Sequence, residues 1–287
     1  TAGYQEGSRK SESCNREDGE SMSQKNVMQE NVFQKDTMQT DVMRENAFQK
    51  DTVQTDVVQE NMCKKDEAQK NGIRGAIFDL DGVLLDSMSV WNDLGVRYLK
   101  KRGIEPEDGL GQILFSMSME QGADYLKEQY HLPDTPQEIL NGIEQMIQDF
   151  YFYEVQPKEG AKELLQFLQK QNVKMITATS SPREHVTKAL QRIGLFDYLE
   201  QIYTTGEVGE SKHSPLIYQL AAESLGTKPE ETLVFEDSLY ALKTAKKAGF
   251  RAIGVYDADG ETDQEGVRQT GELYLKRLSE FEQYWTN

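Results

Sequence analysis

Short apolar runs alternate with segments of helical spacing through the second half of the chain. Leu164, Leu165 and Leu168 fall on one face of a predicted helix over 160–171, and an apolar run over 173–179 then predicts a strand. The alternation continues with strands predicted over 201–204, 232–235, 252–255 and near Leu273, and helices over 183–193, 215–225, 239–248 and the end of the chain. Repeated strand–helix units of this length predict an α/β fold with a doubly wound parallel sheet.

A block of about 70 residues before this region has helical patterning and no strand signal. Helical segments are predicted before Gly103, over 118–129 and over 137–151, with Pro133 and Pro136 between the last two. The block follows a first strand at 76–78. The sequence therefore predicts one core domain over 73–88 and 158–287, and a helical insertion over 89–157.

Residues 1–72 have a different pattern, a five-residue repeat that becomes visible at Asn26. The stretch 31–45 nearly recurs as 46–60. In an α-helix a five-residue step rotates the apolar position by about 140° each time, so no continuous apolar stripe forms. We expect a low-complexity region that is disordered or weakly helical. A helix or small coil that forms with a protein partner is the alternative.

Composition and charge exclude several classes of function. The formal charge of −17 disfavours binding to nucleic acid or to anionic membranes, and no apolar run is long enough to span a bilayer. Residues 1–26 lack the apolar core of a secretion signal, and the only cysteines are Cys14 and Cys63. These features predict a cytoplasmic protein without a disulfide framework. The three histidines lack the spacing of a zinc site.

Two aspartates follow the first predicted strand directly. Asp79 and Asp81 are two residues apart, so in extended backbone they point to the same side, at the strand end where α/β sheets bind ligands. Gly82 permits a sharp turn that brings backbone N–H groups near an anion. A surface turn is the alternative, but apolar residues lie on both sides. Two buried carboxylates require a compensating cation, and Mg²⁺ prefers oxygen ligands.

Polar residues also follow the later predicted strands. Thr179 and Ser180 end one strand, where a hydroxyl and free N–H groups can hold a phosphate. The next residues, Ser181, Pro182 and Glu184, form the pattern of an N-cap, a first-position proline and a capping-box glutamate. The alternative interpretation is that the hydroxyls of Thr179 and Ser180 only help to cap the helix and bind no phosphate.

Two further segments complete the set of candidate residues. Lys212 precedes a predicted helix, where a lone lysine is ordinarily a solvated surface charge. Glu236 and Asp237 end a strand and precede Ser238, for which helix capping is again the alternative reading.

The four segments together resemble the haloacid dehalogenase-like (HAD) phosphohydrolases over residues 73–287. The residues that carry the resemblance are Asp79-Leu-Asp-Gly-Val-Leu-Leu-Asp-Ser87, Thr179, Lys212 with Pro215, and Glu236-Asp237-Ser238. The insertion resembles the α-helical cap of the β-phosphoglucomutase and phosphatase subgroup. The resemblance implies a Rossmann-like core and a phosphoric monoester hydrolase.

The resemblance also implies a role for each residue. Asp79 would be the nucleophile that forms an aspartyl-phosphate, and Asp81 the general acid and base. Mg²⁺ would be held by Asp79, the Asp81 carbonyl and Asp237, with Glu236 either bound to the ion or just behind its ligands. Thr179, Ser180, Lys212 and the Gly82 turn would bind the phosphoryl group of a small phosphorylated metabolite.

Two rival functions stay open from the sequence. One is a sugar-phosphate mutase of the same subgroup, although residues 88–93 lack the histidine that such mutases tend to carry soon after the first motif. The other is a binding protein with an idle phosphatase fold, whose N-terminal repeats recruit a partner.

Overall fold

The computed structural model describes residues 72–115 and 117–285. In chain order its strands are β1 (Gly75–Phe78), β2 (Leu85–Asp86), β3 (Gln156–Pro157), β4 (Lys174–Thr179), β5 (Ile202–Thr204), β6 (Thr232–Glu236), β7 (Arg251–Val255) and β8 (Leu273–Leu275). The α-helices are α1 (Met88–Lys101), α2 (Leu110–Phe115), α3 (Met119–Gln129), α4 (Pro136–Asp149), α5 (Ala161–Lys170), α6 (Arg183–Ile193), α7 (Thr205–Val208), α8 (Leu216–Leu225), α9 (Leu239–Lys247), α10 (Gln264–Thr270) and α11 (Phe281–Trp285).

Six strands form one parallel sheet in the order β5-β4-β1-β6-β7-β8. Gly75 of β1 is in register with Lys174 on one side and Thr232 on the other. The chain thus adds strands to one side of β1 and then returns to add strands to its other side. The predicted doubly wound parallel sheet is confirmed. Strand β1 lies between β4 and β6, where the order of the strands reverses.

Side chains of β1 pack into apolar layers on both faces of the sheet. Ala76 and Phe78 join a large core with helices α5 and α6, and the Phe78 ring stacks on Phe235 with a centroid distance of 4.6 Å. Ile77 points to the other face and packs with residues of α8. Burial on both faces explains why β1 is an unbroken apolar run.

Helices α1 to α4 form the predicted helical insertion, which we call the cap. Ser118 and Thr135 cap α3 and α4, and each makes a reciprocal capping box with the residue three positions later. Pro136 occupies the first turn of α4, where its missing N–H is not needed. The predicted helices are therefore present, with boundaries within one or two residues of those expected.

The two ends of the cap differ from the prediction. Strands β2 and β3 pair antiparallel where the chain enters and leaves the cap. Neither was predicted, and β3 lies within 89–157, where the sequence has no strand signal. Helix α4 ends at Asp149 and continues as a π-helical turn, Phe150–Glu154. The short helices α2, α7 and α10 were not predicted either. Two-residue strands and single turns have too little periodicity to be recognised.

Several sequence predictions fall outside the described residues. The five-residue repeats, Cys14 and Cys63 belong to this group. Among the helices of the described part, none combines the length and apolar character needed to cross a bilayer.

Candidate active site

The carboxyl ends of β4, β1 and β6 bring the predicted site residues to one edge of the sheet. Thr179 is the last residue of β4, Asp79 follows β1, and Glu236 ends β6 with Asp237 after it. Because these three strands are neighbours in the sheet, the side chains converge although they come from distant parts of the sequence.

Lys212 is buried at the centre of this group. Its Nζ lies 2.6 Å from Asp79 Oδ1 and 2.7 Å from Glu236 Oε1, and its side chain is 2% exposed. Burial disfavours the charged ammonium, but Asp79 and Glu236 outweigh burial and raise the pKa of Lys212 above its usual range. The lysine therefore stays protonated and fixes both carboxylates; it is not the solvated surface charge of the alternative reading.

The acidic residues of the cluster resist ionisation in the absence of a cation. Burial, together with the charge of Glu236, raises the pKa of Asp79 to about 8, against the opposing effect of Lys212. Burial and the charge of Asp79 likewise raise the pKa of Asp237 to about 7. One lysine does not neutralise three carboxylates, so the site favours a further positive charge.

The carboxylate oxygens are arranged to hold such a cation. Ligand atoms of Asp79, Glu236 and Asp237 lie within 4.8 Å of one another. Glu236 Oε1 accepts hydrogen bonds from Lys212 and Tyr218, both 2.7 Å, whereas Glu236 Oε2 is buried without a partner among the described residues. A buried carboxylate oxygen without a donor is costly unless something occupies it. The residues therefore fit a hard divalent ion.

Asp81 has a different environment from the other three carboxylates. Its Oδ1 accepts hydrogen bonds from Ser87 Oγ at 2.6 Å and from Tyr151 OH at 2.5 Å, and its Oδ2 accepts from Ser181 Oγ at 2.6 Å. Its side chain thus faces hydroxyl groups and lies outside the acidic cluster. This arrangement suits proton transfer better than metal binding by the side chain.

The prediction of Ser181 as an N-cap is wrong. Helix α6 begins at Arg183, Pro182 occupies the cap position, and no side chain caps the helix. The Ser181 hydroxyl binds Asp81 instead, while its N–H donates to Thr179 Oγ1 at 3.1 Å. Because Thr179 accepts that bond, its own hydroxyl proton is left for another acceptor. Ser180 is exposed at the bend.

Gly82 forms the predicted sharp turn after Asp81. Its own N–H donates to the Leu85 carbonyl at 3.0 Å and is therefore used within the turn. Gly82 has a φ of 76°, and a Cβ there would lie 2.4 Å from Asp237 Oδ2. The glycine is needed because the turn passes directly against the Asp237 carboxylate.

Lys158 was not a candidate from the sequence. It follows β3, where the chain leaves the cap, and it contacts the turn that contains Gly82. Its Nζ donates to the Gly82 carbonyl, to the Tyr256 carbonyl at 2.6 Å and to Asp257 Oδ2 at 2.7 Å. The lysine joins the turn after β1 to the loop after β7. Tyr151 was missed as well, since neither residue has a local pattern that distinguishes it from surface or core.

Two clefts between the cap and the core differ in charge, and neither is lined by Asp79, Lys212, Glu236 or Asp237. One of about 880 Å³, between α1–α2 and the loop after β7, is lined by seven carboxylates against Lys100. The other, of about 410 Å³, lies between α4 and the start of α6 and contains Trp91, Pro182, His185 and a single carboxylate, Glu144. The second cleft is therefore much less acidic than the first.

Comparison with known proteins gives matches over the cap and core. The sequence pattern of the haloacid dehalogenase-like hydrolases matches residues 76–255. A "phosphorylated carbohydrates phosphatase" of Thermotoga maritima is 26% identical over 63% of this chain and 84% of its own length. A β-phosphoglucomutase of Bacillus subtilis is 26% identical over 74% and 97%.

Solved structures agree on the fold. A HAD family hydrolase from Deinococcus radiodurans, which carries bound phosphate and sodium, superimposes with a TM-score of 0.59. It is 23% identical to this chain and covers 73% of it and 93% of its own length. At this identity the match concerns the fold alone.

Proposed function

The chain belongs to the haloacid dehalogenase-like hydrolases, and we propose on that premise that it is a Mg²⁺-dependent phosphatase of a small phosphorylated metabolite. The observation that carries the proposal is the buried cluster of Asp79, Lys212 and Glu236, in which one Glu236 oxygen has no partner in the part of the chain that the structure describes. The names of relatives that are phosphatases of sugar phosphates support this substrate class.

In the proposed reaction Asp79 attacks phosphorus and forms an aspartyl-phosphate. Lys212 holds Asp79 through the contact at Oδ1 and places positive charge beside the phosphoryl oxygens, and the Thr179 hydroxyl donates to them. Asp81 protonates the leaving oxygen and then takes a proton from the water that hydrolyses the intermediate.

The metal would be held by Asp79, Glu236 and Asp237, with the Asp81 carbonyl as a further predicted ligand. When bound, Mg²⁺ supplies charge that keeps the nucleophile ionised and screens it from the phosphate. The orphaned Glu236 Oε2 supports direct binding by this residue.

The test is turnover of p-nitrophenyl phosphate and of a panel of sugar, polyol and nucleoside phosphates with Mg²⁺. We expect phosphate release that EDTA abolishes and that Asp79→Asn reduces by at least about 10³-fold, since the nucleophile is lost. Release of inorganic phosphate also separates a hydrolase from a mutase, which would return an isomeric sugar phosphate. No turnover on any ester would favour the binding-protein alternative.

A further inference from the structure

The three hydroxyl groups around Asp81 are divided unequally between its two carboxylate oxygens. Within the described part of the chain, Oδ1 accepts from Ser87 and Tyr151 and Oδ2 from Ser181 alone, and the Tyr151 hydroxyl also lies 3.2 Å from Ser181 Oγ. A carboxylate oxygen has two acceptor positions, so Oδ1 is full and Oδ2 has one position left. Only Oδ2 can carry a proton toward a substrate without first breaking a hydrogen bond.

One of the two donors to Oδ1, the Tyr151 hydroxyl, comes from the cap. Tyr151 lies in the π-helical turn between α4 and β3, a kind of turn that is frequent at functional sites. Its side chain is fully buried, its ring meets Phe150 edge-on at 5.7 Å, and it stacks on His185 of α6 at 5.6 Å. Ring packing against both cap and core therefore holds the hydroxyl in place.

We propose that Tyr151 is a positioning residue for the phosphatase reaction proposed above. Its hydroxyl occupies Oδ1 and thereby turns Oδ2 of Asp81 toward the leaving oxygen. As Asp79 bonds to phosphorus and the ester bond to phosphorus breaks, the proton moves from Asp81 Oδ2 to the departing oxygen, and Tyr151 keeps its own proton. Displacement of the cap would remove this hydroxyl, so proton delivery depends on the arrangement of the cap.

Tyr151→Phe tests the inference because it removes the hydroxyl and keeps the ring. The comparison is kcat/KM for p-nitrophenyl phosphate and for an alkyl phosphate that the wild type hydrolyses. This parameter covers steps through formation of the aspartyl-phosphate, and only the alkoxide leaving group needs strong protonation. We expect a loss of about tenfold on the alkyl ester and less than about twofold on the aryl ester.

Tyr98→Phe is the matched control. Tyr98 is a second buried tyrosine of the cap, and its hydroxyl has no hydrogen-bond partner in the described residues. Tyr98→Phe removes a hydroxyl oxygen from the cap, as Tyr151→Phe does, but this hydroxyl does not contact Asp81. The kcat/KM values for the aryl and the alkyl ester should therefore both stay unchanged.

An equal loss on both esters, or no loss on the alkyl ester, would overturn the inference and leave the proposed function standing. Absence of wild-type turnover on every ester would overturn both. If thermal unfolding shows that Tyr151→Phe does not fold, Ser87→Ala removes the other hydroxyl on Oδ1. It should give the same selective loss on the alkyl ester, and an equal loss on both esters would again contradict the inference.

Discussion

At the scale of single residues, the site depends on a lysine that compensates charges inside the protein. Lys212 is enclosed with Asp79 and Glu236, and removal of one partner from such a group leaves an uncompensated buried charge. Lys212 became a candidate from the sequence only through the resemblance to a family pattern, and the structure brings it against Asp79 and Glu236. Its local context, a lysine before a helix, favours exposure, and burial follows from the three-dimensional approach of the two carboxylates.

Lys212→Met should lower the free energy of unfolding by about 3 kcal/mol in EDTA, because Asp79 and Glu236 lose their counter-charge. Asp79→Asn should cost less than about 1 kcal/mol, because the amide oxygen can still accept a hydrogen bond from Lys212, whose charge stays paired with Glu236. Urea unfolding measures both. Lys243→Met, at an exposed position of α9, is the control. Equal stability of Lys212→Met and the control would contradict this account of the cluster.

Residues recognised from the sequence differ in kind from those that were missed. Asp79, Thr179 and Asp237 follow apolar strands, and strand ends of one parallel sheet must converge, so their proximity was predictable. The partners of Asp81 depend on how the cap packs against α6. Tyr151 is 70 residues from Asp81 in the chain, and no local spacing indicates that contact.

At the scale of elements, the segments where the chain enters and leaves the cap were the hardest to predict from the sequence. Strands β2 and β3 have two residues each, and the π-helical turn interrupts a segment that has an ordinary helical pattern. These short elements place Tyr151 and Lys158 against the turn after β1. The long helices and the central strands, by contrast, follow from strong periodicity and from capping patterns such as those of Ser118 and Thr135.

Lys158→Met should therefore destabilise the protein by about 2 kcal/mol, because Asp257 would stay buried without its partner and two carbonyls would lose a donor. The control is Arg268→Ala, which removes an ion pair with Glu265 that is more than half exposed on both sides. Its loss should have no measurable effect, because exposed ion pairs contribute little to stability. Thermal or urea unfolding compares the two, and similar costs would show that Lys158 does not hold the turn.

At the scale of the whole molecule, the acidic site links stability to pH and to metal. The pKa of Asp79 near 8 and that of Asp237 near 7 lie above the ordinary value of a carboxyl, so the folded protein retains protons that the unfolded chain releases. Stability of the metal-free protein should therefore fall as pH rises from about 4 through about 8.

Binding of Mg²⁺ requires ionised carboxylates and so releases these protons. The rise in Tm on replacing EDTA with Mg²⁺ should be larger at about pH 8 than at about pH 6. Differential scanning fluorimetry measures the difference at each pH, with Asp237→Asn as the variant in which the metal-dependent rise should be lost. A rise that is independent of pH, or one that survives in Asp237→Asn, would contradict the assignment of the metal to this cluster.

The predicted site lies wholly within the described residues, on the side of the chain that follows the repeats. We expect a variant that lacks residues 1–70 to keep its kcat/KM within about twofold of the full chain, since every proposed catalytic group remains. Phosphate release by the two proteins under the same conditions measures this. A large loss would mean that the repeats belong to the working enzyme.

The central claim is that Asp79 becomes phosphorylated, and chemical trapping tests it most directly. Asp81→Asn should still transfer phosphate from p-nitrophenyl phosphate, whose leaving group needs little protonation, but should hydrolyse the intermediate slowly. Acid quenching, borohydride reduction and peptide mass spectrometry then locate the modified residue. The account predicts homoserine in place of Asp79. Reduction at another residue would contradict the account. So would a burst of p-nitrophenol from the variant without any reduced residue.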